Sequence, residues 1–189
     1  EFKDVHLIAV HVHGPGLFHS KDPITRIEDL KGMKVRGGSR IVNIMLEQLG
    51  ATPVGMPVTS VGEGLSKGVI GATTIPWEVV PAFKVQQIVH NHTGFEGDVG
   101  LYTQTFGVIM NKSSYEKLPP DLKKVIDNNS GVEAAALFGR AMDAGDAIGI
   151  ALTRKTNNSV VTLDAAETSR WQRAAAGVRA AWYQDVGAK

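Results

Sequence analysis

Over the first 110 residues, short β-branched apolar runs alternate with stretches of helical periodicity, and this alternation restricts the fold more than any other feature. Strands and helices taken in turn along a chain require an α/β sheet with parallel or mixed pairing. The run VHLIAVHVH at residues 5–13, closed by Gly14-Pro15-Gly16, reads as a buried strand with His11 and His13 sharing one face at its carboxyl end. A loop, SKDPITRIEDLKG, follows, with a helical turn over Thr25 to Asp29. A short strand at Met33 to Val35 then leads through Gly37-Gly38-Ser39 into a helix. Ser39 is its N-cap, Ile41, Ile44, Met45 and Leu49 are its apolar stripe, and Gly50 is its stop. Ala51 to Pro57 reads as an edge strand because of its two prolines. Thr59 or Ser60 caps a small helix to about Lys67, Val69 to Ile75 is a strand, and Pro76 opens a helix to Phe83. Residues 86–100 read as a strand end and a mobile loop, and Leu101 to Met110 as a strand. A turn at Asn111-Lys112-Ser113 enters a short helix. A long helical pattern runs from Asp121 to Lys155, held by packing or bent at one of its glycines. Ser159 to Leu163 is a last strand, and Asp164 opens a final helix with Trp171, Val178 and Trp182 on one side.

Composition narrows the functional classes. With 43% hydrophobic and 21% charged residues, the 189-residue chain can bury a sizeable core. A net charge of +1 gives no broad field for nucleic acid or an anionic membrane, so any anion site must be local. No apolar run approaches the roughly 18 residues that span a bilayer, and stable membrane insertion is not expected. The absence of cysteine excludes disulfides, thiolate catalysis and cysteine metal sites.

The chemistry concentrates at Arg36. A guanidinium is a rigid fork of donors matched to a carboxylate, and the glycine turn after it lets backbone N–H groups approach the same anion. The competing reading is a solvated or surface-paired arginine. His11-x-His13 has the form of a strand metal pair, the basis of an alternative reading as a metal-dependent hydrolase. However, His19, His90 and His92 fall in expected loops, at no spacing that completes a ligand set; hydrogen-bonding pocket histidines or core histidines are the other options. Neither Gly14-x-Gly16 nor Gly37-Gly38-Ser39 continues into a phosphate-loop fingerprint, and no serine sits in a nucleophile elbow. Trp77 could stack on a ligand or simply pack. A pocket is supported by these residues; a reaction is not.

Four segments in order, DLKGMKVR, LEQLGATPVGMPVTSV, LSKGVIGATTIPWEVV and GVIMNKSSYEKLPPDLKKVID, resemble the second half of a TRAP transporter solute-binding protein of the DctP type. The resemblance implies a type II periplasmic-binding-protein-like lobe with a mixed sheet plus long C-terminal helices. Residues 1–115 would be the second-lobe ligand-binding domain, and residues 116–189 a long helix, strand and terminal helix packed on a first lobe missing from this stretch. It implies a periplasmic receptor without cofactor or enzymatic activity, which captures a small organic acid and delivers it to the TRAP permease. Arg36 stands where the family's carboxylate-binding arginine stands, and Ser39, His13, Val58, Thr74, Ile75 and Trp77 would shape the rest of the pocket. Several positions depart from the pattern. Val58 replaces a common aromatic residue, and Ile70-Gly71-Ala72-Thr73-Thr74-Ile75-Pro76 lacks the usual aspartate and asparagine. A further arginine found in some relatives is replaced near Gly16. The expected ligand is therefore a monocarboxylate or a partly apolar acid. A domain-swapped or proteolysed lobe without binding competence is a third possibility.

Overall fold

A computed structural model describes residues 2–97 and 99–187. Six strands form one sheet in the order β4 (Thr52–Gly55), β3 (Lys34–Gly37), β5 (Ala72–Ile75), β2 (Leu17–Ser20), β6 (Asn91–Phe95), β8 (Ser159–Leu163). β2 is antiparallel to β5 and β6, whereas β3 is parallel to β4 and β5, and β6 to β8. The sheet is thus mixed, as expected. Strand alternation assigns its faces. Phe18, Val35 and Ala72 enter one core with Leu46 of α1 (Arg40–Gln48) and Trp171 of α8 (Ala165–Ala174). Ile75 enters the other, with residues of α2 (Val61–Ser66), α3 (Val79–Ala82) and α4 (Val85–Ile88).

Beside this sheet lies an antiparallel ribbon of β1 (Val5–Val12) and β7 (Thr105–Asn111). After β7 come α5 (Lys112–Glu116), α6 (Pro120–Asn128) and α7 (Val132–Lys155). The chain then returns through β8 and α8 to α9 (Gly177–Val186). α7 bridges ribbon and sheet. The Gly131 N–H before it donates to Ile8 O at 2.7 Å, and Ala134 is buried. Further along, Gly149 lies so close to the next layer that a Cβ would come within 2.1 Å of Trp77 O.

The sequence reading needs correction in six places. β1 is a ribbon strand, not a buried one: Ala9 is buried, but Val10 and Val12 are 42% and 47% exposed, since α7 is the helix that packs on it. β2 was hidden inside an expected turn and loop. Four residues directly after the Gly14-Pro15-Gly16 turn give too short a pattern to register, yet all four are buried between β5 and β6. Residues 86–95 are α4 and β6 and not a mobile loop, because β6 pairs on both edges. Residues 76–78 precede the helix that Pro76 was expected to open. The long helical pattern is two helices, parted at Gly131 with φ +77, and the final one is likewise two, parted at Ala175-Ala176.

Residues beyond 115 pack on the same sheet. β8 joins the sheet, and Trp171 of α8 packs its ring edge on Phe18 and Phe95 at centroid distances of 5.5 and 5.6 Å. Glu167 of α8 also accepts from the Ile27 N–H at 2.8 Å and from Trp171 Nε1 at 2.9 Å.

Candidate functional site

Arg36 occupies the third position of β3, with Val54 and Thr73 beside it on the adjoining strands. Alternation turns it away from the core that receives Val35, and it is 7% exposed. Its Nε donates to Met56 O at 3.1 Å and its Nη1 donates to Thr74 O at 3.5 Å, a long contact. Among the described residues no carboxylate lies within ion-pair distance of it. Burial pulls its pKa below the ordinary value, partly offset by Tyr102, yet a guanidinium stays charged in proteins. A buried cation that meets only carbonyl dipoles carries uncompensated charge, and that favours an anion arriving from outside.

The segment 102–104 closes over this position. Tyr102 OH donates to Thr74 O at 3.1 Å, the same carbonyl that Nη1 reaches. At Gly38, the point a Cβ would occupy lies 3.3 Å from Arg36 Nη1 and 3.6 Å from Gln104 Oε1. Ser39, Tyr102 and Gln104 line an open groove of about 990 Å³ bounded further by Ile41, Met45 and Trp182. Arg36 is not itself on that wall; it sits beside it, next to Gly38 and Tyr102.

The other residues expected at the site divide. Ser39 Oγ accepts from the Val42 N–H at 3.3 Å, capping α1 while it lines the groove. His13 is buried, with its ring edge-on to Tyr102 at 5.4 Å and its carbonyl accepting from Thr103 Oγ1 at 2.8 Å. Thr74 turns its hydroxyl to the Arg36 carbonyl at 3.1 Å and supports the guanidinium through its own carbonyl. Arg36, Thr74, Tyr102 and His13 are therefore contiguous, with Ser39 alongside. Ile75 is instead in the second core, and its carbonyl accepts from His19 Nε2 at 3.1 Å. Val58 packs on that core too. Trp77 lies between His19 and His92 and lines a separate cavity of about 270 Å³ with Leu17 and Asp146.

Tyr102 and Gln104 were missed because residues 101–110 read simply as a strand; the polar Thr103-Gln104 pair before the apolar run was the available signal. His11 stacks on Phe106 at 5.3 Å and lies against Phe138 at 5.1 Å, and no group of three metal-binding side chains occurs among the described residues.

The histidines expected in loops form a second polar feature. Arg36, Thr73, His19 and His92 are successive register partners across β3, β5, β2 and β6, so they make one buried row on one face of the sheet. His19 Nε2–H donates to Ile75 O, which leaves its Nδ1 to accept from His92 Nδ1–H at 2.6 Å. His92 Nε2 then accepts from Asn158 Nδ2 at 3.0 Å. Both rings are fixed in their neutral form: burial pulls the pKa of His19 down to about 3 and that of His92 to about 4.

The chain is similar to known proteins over nearly its whole length. The family model for DctP, bacterial extracellular solute-binding protein, family 7, matches residues 1–185. A TRAP solute-binding protein from Rhodoferax ferrireducens, solved with copurified benzoate, is 46% identical with a TM-score of 0.94, over 98% of this chain and 58% of that one. A marine-metagenome TRAP solute-binding protein specific for aromatic acid ligands, solved with metahydroxyphenylacetate, is 41% identical with a TM-score of 0.95, over 98% and 59%. A solute-binding protein of Albidiferax ferrireducens is 28% identical over 188 residues, 99% of this chain and 54% of its own length. The chain spans about half the length of that curated relative.

Proposed function

Since the chain belongs to family 7 of the bacterial extracellular solute-binding proteins, we propose that it forms the arginine-bearing part of a TRAP receptor for an organic acid. In this reading the acid's carboxylate docks on the Arg36 guanidinium, with the Gly38-Ser39 backbone alongside. The filled receptor then delivers the acid to a TRAP permease from the periplasm, without chemical change to it. The observation that carries the proposal is a cation 7% exposed with no acidic partner among the described residues. A site of this kind is completed by its ligand, whose carboxylate supplies the charge-assisted bonds that the carbonyls of Met56 and Thr74 do not.

The rest of the surroundings favours one carboxylate on an apolar body. His13, Tyr102 and Phe106 cluster with ring centroids 5.4 and 5.8 Å apart, and no second arginine or lysine reaches Thr74 or Met56 among the described residues. Relatives solved with benzoate and with metahydroxyphenylacetate are consistent with that preference. We further propose that residues beyond β7, with the exposed side chains Val132, Leu137 and Ile148 of α7, meet a first lobe of the receptor.

Calorimetry on the full-length protein tests the reading. Arg36→Ala should weaken a bound aromatic monocarboxylate by about 2 to 5 kcal/mol, and Arg36→Lys should fail as well, because a point charge cannot form the fork. Unchanged affinity in Arg36→Ala would refute it.

A further inference from the structure

The geometry points to Gln104 as the residue that selects a 2-hydroxycarboxylate over the corresponding unsubstituted acid; this rests on the carboxylate reading of Arg36. Three observations converge on it. The space that a Cβ would fill at Gly38 is shared by Arg36 Nη1 and Gln104 Oε1, at 3.3 and 3.6 Å, so the two side chains border the same small volume. Gln104 is half-buried on the groove wall, and its carboxamide makes no hydrogen bond among the described residues. Its backbone is also tightly held. Tyr102 is anchored by its hydroxyl on Thr74 O and by its carbonyl, which accepts from the Gly16 N–H at 2.8 Å. Thr103 is fixed to His13 O at 2.8 Å, and Thr105 begins the register with Val12.

An unengaged carboxamide on a fixed backbone is a recognition element, since ordering it on a ligand costs only side-chain rotamers. It offers two donors and an acceptor. A carboxylate forked on Arg36 carries any α-substituent only three bonds from its carboxyl oxygens, and Gln104 Oε1 borders the same space at Gly38 that Arg36 Nη1 borders. A hydroxyl there donates to Oε1 and accepts from the amide NH₂, so both of its capacities are used. An unsubstituted acid leaves the carboxamide unmatched. Gly38 keeps the space open, because any side chain would begin inside it.

Titration calorimetry on the full-length protein with mandelate against phenylacetate, and lactate against propionate, tests the assignment. The wild type should hold the hydroxy acid at least about tenfold tighter in the pair it binds, the worth of a good hydrogen bond in a desolvated site. Gln104→Leu should bring the two members of that pair within about threefold. Gln104→Glu should weaken both acids by at least about thirtyfold, since its carboxylate would compete for Arg36. A wild type that does not discriminate, or a Gln104→Leu variant that still does, overturns the assignment and leaves the Arg36 reading intact. Failure of the wild type to bind any of the four acids overturns both.

Discussion

Acidification should loosen this fold through His19 and His92, two residues that touch no ligand in the proposed mechanism. In the folded chain their pKa values lie at about 3 and about 4, while the unfolded chain titrates them near the ordinary 6.5. Between those values the unfolded state binds more protons, so stability is complete above pH 6.5 and falls as pH falls. Each histidine contributes a slope of about 1.4 kcal/mol per pH unit, and the two together cost about 4 kcal/mol at pH 5. That is a large share of the roughly 5 to 15 kcal/mol that holds a typical domain together. The cause is geometric. A proton on His19 Nδ1 would face the His92 Nδ1–H across 2.6 Å, and a proton on His92 Nε2 would face the Asn158 amide. His90 adds only like charge to His92, and His92 to His19. Glu78 and Asp146 have pKa values raised by burial and oppose the trend, gaining stability on acidification, so the measurement is a difference between variants. Urea unfolding of wild type and His92→Gln at pH 7.5, 6.5, 5.5 and 5 reads it out, because glutamine keeps a hydrogen-bonding group without titrating. The wild type should lose more stability than the variant by about 1 to 2 kcal/mol between pH 7.5 and 5. Parallel pH profiles would refute the argument.

Three further outcomes follow from other parts of the structure. Arg36→Met should abolish acid binding and yet leave the ligand-free protein as stable as wild type or up to about 2 kcal/mol more so by urea melts, since it removes a buried charge without a counter-ion. Trp171→Ala should cost about 3 to 5 kcal/mol in the same assay, through the cavity it leaves against Phe18 and Phe95. Gly149→Leu should cost at least about 2 kcal/mol, as its Cβ alone would collide with Trp77 O, and near-ultraviolet circular dichroism should register the displaced indole.

How much of this was legible in the sequence depended on the range of the signal. The strand, glycine turn and helix around Arg36 were readable because each step is local: Ser39 caps α1, and Gly50 takes φ +90 after it. Asp164 capping α8 and Asn111 capping α5 belong to the same class. β2 and β6 were not readable, since their identity as strands comes from partners on both edges and not from their own residues. The same cause hid the histidine pair, formed by residues 73 positions apart. Within the site, Arg36 could be chosen by its chemistry alone. Tyr102 and Gln104 come to it only because the chain crosses from the sheet to the ribbon and returns, which no local pattern encodes. Ile75, two residues along β5 from Thr73, shares the sheet face that carries Arg36 and packs in the second core.

α7, at 24 residues about 36 Å long, acts as a splint. Its first turns are stitched to the ribbon at Ile8, and its later turns rest backbone to backbone on Trp77, so neither layer can swing while the rod between them stays straight. The connections at residues 13–16 and 101–104 are tied to each other as well, by the Gly16 N–H to Tyr102 O and Leu101 N–H to Gly16 O hydrogen bonds. The second of these carries Tyr102 and Gln104, so the joint and the grip share the same few residues.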